Sequence, residues 1–420
     1  MKIAGKHISP QLISLADQGT VSASNFLVGI LLARALGLET FGEFSLILIG
    51  NLLVLALQQA LIISPMQTFL PTKPNHEQRQ YVNQLFTAQL FIAGLSALGM
   101  GASAIFLSDW LLNLRVYYVA AYVFLFALLT FFRKLAFCAG KPQLSLWVTG
   151  VTFGLRLLCL AALVFSTGYS LTTALGVYVI FAAAGAVIGL LQHWPSVTLN
   201  WNREWFIRDV LYCRWLAGTA LLQWFAGNYF LLVASEVLGM AALGAIRIAQ
   251  NIMGFIAVLF QALDNVMPVE MSRQLQQQGL PGLYRYTRTT ALTWLMPVVG
   301  LLAIVISFAG LILGITYGTA FEQQAWVLQS LAGAYILTFL LVPAVHLLRV
   351  LTITRAIFVA YACSTAFSLL CARLFITTWG ITGVIAGMYA SQAFILGVTV
   401  IFIYLEWNKR KAMSQPLAIG

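Results

Sequence analysis

The feature that most constrains this chain is its succession of long apolar stretches, which are separated by short polar connections. A helix needs about 20 apolar residues to cross the hydrocarbon core of a bilayer. A transmembrane β-barrel would instead show alternating segments of about 10 residues. These stretches are longer and do not alternate, so the sequence predicts an all-α polytopic membrane protein. Twelve spans are predicted, at about 11–36, 43–69, 81–107, 114–138, 144–167, 171–193, 213–236, 239–267, 288–313, 325–349, 355–376 and 380–406.

Composition excludes a water-soluble surface. Only 8% of the 420 residues are charged and 61% are hydrophobic, whereas a soluble domain usually has about 25% charged residues. The five cysteines and the four histidines are scattered and lack the spacing of metal ligands. No metal site and no cofactor are therefore predicted, apart from a coupling cation or proton.

The distribution of basic residues predicts the topology. With the N-terminus placed inside, roughly 18 of the 23 lysines and arginines fall in inner segments, as the positive-inside rule requires. A miscounted span would move every later connection to the other side. The pattern therefore favours an even number of spans and two cytoplasmic termini. It also accounts for the net charge of +11 without a nucleic-acid partner.

A short motif occurs twice, about half a chain length apart. Leu36-Gly37 is followed by Phe41-Gly42, and Leu238-Gly239 is followed by Leu243-Gly244. Both copies lie at the predicted outer turn between the first two spans of a six-helix set. Two halves of like topology place a substrate site between them, near the midplane of the membrane. The predicted organisation is an N-terminal six-helix half at 1–199, an interfacial amphipathic linker at 200–212, and a C-terminal six-helix half with a short cytoplasmic tail at 213–420.

Polar side chains inside the predicted spans are the candidate site residues, because such groups are costly in lipid and usually face a cavity or another helix. The eighth span carries the longest series on one helical face, which consists of Arg247, Gln250, Asn251, Gln261 and Asp264. Shorter series occur in the first, second and seventh spans, namely Gln18 with Asn25, Asn51 with Gln58, and Gln223. We expect these side chains to line a water-filled cavity. Helix packing through small and polar residues is the alternative.

The sign of the charge inside the spans indicates an anionic substrate. Arg156, Arg247 and Arg34 lie within spans or at their ends, whereas the only deep acidic residues are Asp17 and Asp264. Arginine binds phosphate through two parallel hydrogen bonds and stays charged when desolvated. A phosphate or pyrophosphate group is therefore the predicted ligand. The alternatives are a structural ion pair for Arg156 and contact with headgroups for Arg34. Asp17 and Asp264 are candidates for coupling a proton or a cation.

Segments in both halves carry a further pattern. It comprises Asp17-Gln18 to Asn25-Phe26, Leu31 to Arg34, Leu36-Gly37 to Phe41-Gly42, Arg133-Lys134 to Gly140-Lys141, and Gly244 to Gly254 followed by Leu263 to Pro268. This pattern resembles the bacterial O-antigen and exopolysaccharide flippases. Those flippases belong to the multidrug/oligosaccharidyl-lipid/polysaccharide (MOP) exporter superfamily.

The resemblance implies a V-shaped pair of six-helix bundles that flips a polyprenyl-pyrophosphate-linked oligosaccharide by alternating access. It implies that cations in the cavity hold the pyrophosphate, best at Arg247 and less directly at Arg156 and Arg34. It also implies membrane lipids as partners, other polysaccharide assembly proteins as candidate partners, and the bacterial inner membrane as the location.

Two other functions compete with this one. A cation-coupled multidrug exporter of the same superfamily also has twelve spans, but its cavity needs acidic or aromatic residues. A membrane glycan polymerase or ligase typically carries its catalytic residues in a large outer loop, whereas the longest predicted outer connection, 314–324, is short. The sequence contains no glycine-rich phosphate loop for ATP. The chain is therefore predicted not to be an enzyme.

Overall fold

The computed structural model describes residues 10–70, 73–106, 114–164, 169–193, 202–351 and 353–414. In these ranges every regular element is a helix, which confirms the all-α prediction for them. The α-helices are α1 Pro10–Gln58, α2 Ser64–Phe69, α3 Asn75–Phe106, α4 Leu114–Cys138, α5 Pro142–Thr149, α6 Leu155–Val164, α7 Leu171–His193, α8 Arg203–Val237, α9 Met240–Ser307, α10 Ala309–Tyr317, α11 Ala325–Val350 and α12 Thr354–Ser414. Two π-helical segments, Gln59–Ile63 and Gly150–Gly154, and one 3-10 helix, Thr319–Gln324, complete the set.

Nine helices in the described ranges are long and apolar enough to cross a membrane. Two of these ranges, Leu12–Phe69 and Arg355–Lys409, have 58 and 55 residues, whereas one crossing takes about 20. Each contains a glycine with non-helical backbone angles, Gly37 in the first and Gly380 in the second. The chain is therefore a multi-pass helical membrane protein, and the count of twelve spans stays a prediction.

The two glycines of the repeated motif have the same backbone conformation. Gly37 has φ 76° and ψ 176°, and Gly239 has φ 85° and ψ 173°. A Cβ atom makes positive φ values unfavourable, so glycine is the residue that can turn the chain there. The sequence repeat thus corresponds to two equivalent turns of the backbone.

The chain divides into two compact units, Met1–Leu221 and Leu222–Gly420. In the first unit, α4 packs against both α3 and α7, and a core cluster forms around Ile62, Met66 and Phe131. In the second unit, α11 packs against α9 and α12. The boundary lies inside α8, so the predicted domain limits at 199 and 213 stay predictions.

The part of the predicted amphipathic linker that the structure describes forms the first turns of α8. The Asn202 side chain caps these turns by accepting hydrogen bonds from the backbone N–H groups of Glu204 and Trp205, at 3.0 and 3.2 Å. Tyr81 of α3 donates to the buried Asp209 at 3.0 Å. These contacts attach the start of α8 to the first unit, while residues 200 and 201 lie outside the described ranges.

Close contact between α7 and α4 depends on the absence of side chains at Gly185 and Gly189. An added Cβ at Gly185 would overlap side-chain atoms of Thr152 and Leu129, and one at Gly189 would lie 2.5 Å from Phe132 Cβ. Small residues four positions apart allow such close approach of membrane helices. Glycine at these two positions therefore determines how closely the helices of the first unit pack.

We expect Gly189→Ala to lower the free energy of unfolding by about 1–3 kcal/mol, because the new methyl group overpacks against a Phe132 atom that is fixed to the backbone. Gly176→Ala on the same helix is the matched control, since its Cβ would meet only Tyr118 at an ordinary 3.8 Å. Alanine also favours helix relative to glycine. Thermal melting in detergent should show a lower midpoint for Gly189→Ala alone. Equal melting of the two variants would contradict the close packing.

An even number of spans predicts that both chain ends lie on the same, cytoplasmic side. A fluorescent-protein fusion after residue 414 should then be bright, and an alkaline phosphatase fusion there should be inactive. A phosphatase inserted in the 3-10 segment Thr319–Gln324 should be active, because this connection is predicted to lie outside. Phosphatase activity at both positions would contradict the even count.

Candidate functional site

A buried ion pair joins three helices of the first unit. The Asp17 carboxylate on α1 accepts a hydrogen bond from Arg133 Nη2 on α4 at 2.6 Å. It also accepts from the hydroxyls of Ser145 and Thr149 on α5, at 3.1 and 2.5 Å. Three donors therefore replace the water that the buried carboxylate loses, which such a pair requires to be stable. The two charges cancel inside the unit.

Arg133 lies within the predicted fourth span and close to its inner end. Its side chain lies on α4, is 12% exposed and contacts Asp17. The sequence did not indicate that these two residues form a pair. Asp17 is neutralised within the unit, and the predicted coupling role of Asp17 stays a prediction.

Arg156 follows a π-helical turn that α1 supports. The turn spans Gly150–Gly154, and the Ser24 hydroxyl donates to the Phe153 carbonyl oxygen at 2.8 Å. Such single π-turns interrupt the regular hydrogen-bond pattern and are frequent at functional sites. The side chain of Arg156 is directed back towards α1, where Nη2 donates to Asn25 Oδ1 at 2.8 Å and contacts Ser24 Oγ at 3.5 Å.

Arg156 is buried without a carboxylate partner among the described residues. The residue is 4% exposed, and its Nε atom has no hydrogen-bond acceptor there. Its guanidinium lies 4.7 Å from the Phe153 ring centre and 4.3 Å from that of Tyr178. These rings and the Asn25 amide oxygen stabilise the cation through dipoles and cation–π contact, but they carry no negative charge. The structural ion pair considered for Arg156 is not present in the part of the chain described.

Phe153 separates the paired arginine from the unpaired one. Its ring centre lies 5.2 Å from the Arg133 guanidinium and 4.7 Å from that of Arg156. One aromatic side chain thus contacts two cations. Among the described residues, Asp17 is the only carboxylate that forms an ion pair with either of them, and it pairs with Arg133.

A narrow aromatic pocket adjoins Arg156. It is lined by Tyr122, Phe126, Phe153, Tyr178 and Phe181, among other side chains. Its accessible volume is about 10 Å³, which is room for one water molecule. In this conformation the pocket does not admit a phosphate group, so a ligand could reach Arg156 only after the helices around it move apart.

The second unit has its own polar face on α9. Arg247 Nη1 donates to Gln250 Oε1 at 3.0 Å, and Asn251 Nδ2 donates to the Tyr317 hydroxyl at 2.7 Å. Arg247 has no carboxylate within ion-pair distance among the residues described. Gly254, one turn further along, is exposed and has open space where a Cβ would lie. This face is therefore cationic, half-buried and open beside Gly254.

Two of the other predicted cavity residues lie in the interior of the first unit. Gln58 is 1% exposed, and its amide donates to Gln89 Oε1 at 3.0 Å and to the Ala127 carbonyl at 2.7 Å. Asn51 is likewise buried. In this structure the Gln58 side chain forms contacts between helices, which is the packing alternative. Their role in a cavity stays a prediction.

The remaining predicted residues are spread more widely. Gln18, Arg34 and Gln223 are exposed. The side chains of Gln261 and Asp264 lie outside the described residues. The structure thus brings together Asn25 with Arg156 in one unit and Arg247 with Gln250 in the other. The sequence analysis did not identify the aromatic side chains next to these groups, because in a membrane span they look like any other apolar residue. These side chains are Tyr122, Phe153, Tyr178 and Tyr317.

No family profile and no curated protein matches the chain by sequence. By structure it is similar to the inward-facing conformation of a multidrug resistance MATE family transporter of the MOP superfamily, with a TM-score of 0.75, 13% identity and 98% of both chains covered. It is also similar to the lipid II flippase MurJ in an inward closed conformation, with a TM-score of 0.69 and 12% identity over 94% of this chain and 87% of that chain.

A third similar structure is a MOP superfamily transporter from Pyrococcus furiosus, described as having a binding pocket of reverse polarity that suggests a different function. Its TM-score is 0.60 at 12% identity, over 97% of this chain and 95% of that chain. These likenesses establish that the chain has the fold of MOP superfamily transporters. The sequence resemblance is supported as regards the fold alone, and the O-antigen or exopolysaccharide flippase stays a prediction.

We expect Asp17→Asn to lower the free energy of unfolding by about 3–5 kcal/mol, because it leaves the buried Arg133 without its counter-charge. The double variant Asp17→Asn with Arg133→Gln should recover part of the loss, since it removes both charges. Thermal melting of the four proteins in a double-mutant cycle measures the coupling. Wild-type melting of Asp17→Asn combined with lost transport would instead favour ion coupling at Asp17.

Proposed function

We propose that this protein is a transporter that flips a polyprenyl-pyrophosphate-linked oligosaccharide across the bacterial inner membrane for surface polysaccharide biosynthesis. The observation that carries the proposal is the pair of membrane arginines, Arg156 in the first unit and Arg247 in the second. Neither has a carboxylate partner among the described residues. A positive charge kept in an apolar medium without a counter-ion is costly, and an anionic ligand compensates it.

The chemistry of the two sites fits a phosphate ligand. Arginine presents its N–H groups in a planar fork that matches two phosphate oxygens. At Arg247, the Gln250 and Asn251 amides add neutral donors and acceptors that suit the sugar hydroxyls next to a pyrophosphate. At Arg156, Nη2 donates a hydrogen bond to the Asn25 amide oxygen, and Nε can still donate to another acceptor.

The fold supports movement of such a cargo. MurJ, whose structure is similar to this chain, is a lipid II flippase, and alternating access moves a cargo through rearrangement of helix bundles around a central site. The lipid tail of the cargo would remain in the bilayer while the headgroup crosses. The energy source is an ion gradient, the membrane potential or consumption of the product. Membrane lipids and other polysaccharide assembly proteins are the partners that this function implies.

A multidrug exporter is the second candidate, because the multidrug MATE family transporter has a TM-score of 0.75. The aromatic pocket of Tyr122, Phe126 and Tyr178 could bind a flat organic molecule. The guanidinium of Arg156 lines the same pocket, and its charge would repel an organic cation. The sign of the charge therefore favours the anionic cargo.

The test is translocation of a pyrophosphate-linked glycolipid in reconstituted vesicles. Arg247→Ala should lower the rate tenfold or more, since a hydrogen-bonded charge is worth about 1.5–3 kcal/mol. Arg247→Lys should restore part of the rate, because it keeps the charge and loses the fork. Arg373→Ala is the control, as this arginine of the same unit is 76% exposed and only 3.9 Å from Glu236.

The outcomes separate the two functions. Normal flipping by the folded variants Arg247→Ala and Arg156→Ala would exclude these arginines as the anion site. Uptake of a cationic dye by the wild type, with no flipping of the glycolipid, would support the exporter. Asp17 and Asp264 would then be the next residues to substitute.

A further inference from the structure

A second cationic surface lies on α9, away in sequence from the Arg247 face. The chain turns at Gly279, with φ 65°, and the helix continues through Tyr284, Arg285 and Arg288. These residues, with Thr289 and Leu292, line an open pocket of about 450 Å³. A volume of this size is in the range of small-molecule binding sites. We call these five residues the α9 pocket.

The two arginines of the α9 pocket are exposed and have no carboxylate within ion-pair distance among the described residues. They are three positions apart on one helix, so their side chains extend from the same face. The Thr289 hydroxyl lies next to them in the pocket lining. Two guanidinium groups and a hydroxyl form a donor set for phosphate oxygens.

One of the residues that line the α9 pocket packs against an aromatic side chain of α12. The Tyr284 ring packs edge-on against Trp407 near the end of α12, with ring centres 4.4 Å apart and planes at 83°. Tyrosine and tryptophan are enriched at the level of lipid headgroups, where one side of the ring is apolar and the other is wet. The arginines therefore lie beside residues typical of the membrane–water interface.

The same helical face continues into an exposed apolar stripe. Leu292, Met296 and Val299 follow Arg288 at intervals of four, four and three residues, and they are 54%, 79% and 41% exposed. Gly300 adds open space beside them. A ligand that fits this face has a phosphate at one end and a hydrocarbon chain at the other.

We propose that the α9 pocket binds an anionic membrane phospholipid, with its phosphate on Arg285 and Arg288 and an acyl chain along Leu292 and Met296. The membrane itself is the favoured source of this ligand, because the apolar stripe is exposed on a helix that spans the bilayer. Basic pockets on membrane helices bind anionic headgroups in this way. This binding is independent of the proposed cargo and of Arg247.

The test uses native mass spectrometry of the purified full chain titrated with phosphatidylglycerol or phosphatidylcholine. We expect the wild type to retain phosphatidylglycerol preferentially, and the double variant Arg285→Gln with Arg288→Gln to bind it tenfold or more weakly. Arg273→Gln is the matched control, because this exposed arginine is on the same helix but lies 3.8 Å from Glu270. Thermal melting checks that every variant is folded.

Four results would overturn the proposal. One is equal retention of the two lipids by the wild type, and another is unchanged phosphatidylglycerol binding by the double variant. The third is displacement of phosphatidylglycerol by a polyprenyl pyrophosphate at a lower concentration than by unlabelled phosphatidylglycerol, which would assign the pocket to the cargo. Displacement by inorganic phosphate alone would likewise show a free-anion site and exclude a lipid site. The glycolipid translocation assay is read separately, so failure here leaves the proposed function untouched.

Discussion

The stability of the first unit's interior depends on how the positive charge of its buried arginine side chains is stabilised away from water. Arg133 meets this constraint with a counter-charge, since Asp17 pairs with it and the hydroxyls of Ser145 and Thr149 complete the carboxylate's hydrogen bonds. Among the described residues, Arg156 meets it with dipoles and ring faces. Because Phe153 contacts both guanidinium groups, the two arginine environments lie next to each other.

Glycine has two distinct uses in this fold. Gly37 and Gly239 turn the backbone between helices at positive φ, and their nearly equal angles give the repeated motif a physical meaning. Gly185 and Gly189 leave space for α4 to approach α7. The turns depend on the backbone freedom of glycine, whereas the close packing depends on its lack of a side chain.

The fold by itself does not select a substrate. Structures of a multidrug transporter and of a lipid II flippase are both similar to this chain at 12–13% identity, and one fold can carry many functions. In the function that we propose, the charge of the site makes the distinction. An exporter of cations needs negative or aromatic groups, whereas Arg156 and Arg247 supply positive charge to otherwise neutral polar faces. The aromatic pocket beside Arg156 combines both features and is closed in this conformation.

The amino-acid sequence was enough to predict the lipid environment, the helical class and the positive sign of the charge inside the spans. Length and apolarity of the stretches require lipid and helices, and helical periodicity places Arg247, Gln250 and Asn251 on one face. Which charged groups meet became known from the packing of the helices. Asp17 and Arg133 are 116 residues apart, and Asn25 and Arg156 are 131 apart. Periodicity identifies the face of a helix on which a residue lies, but the partner across that face depends on which helices pack together. The interior position of Gln58 and the surface position of Gln18 were undetermined for the same reason.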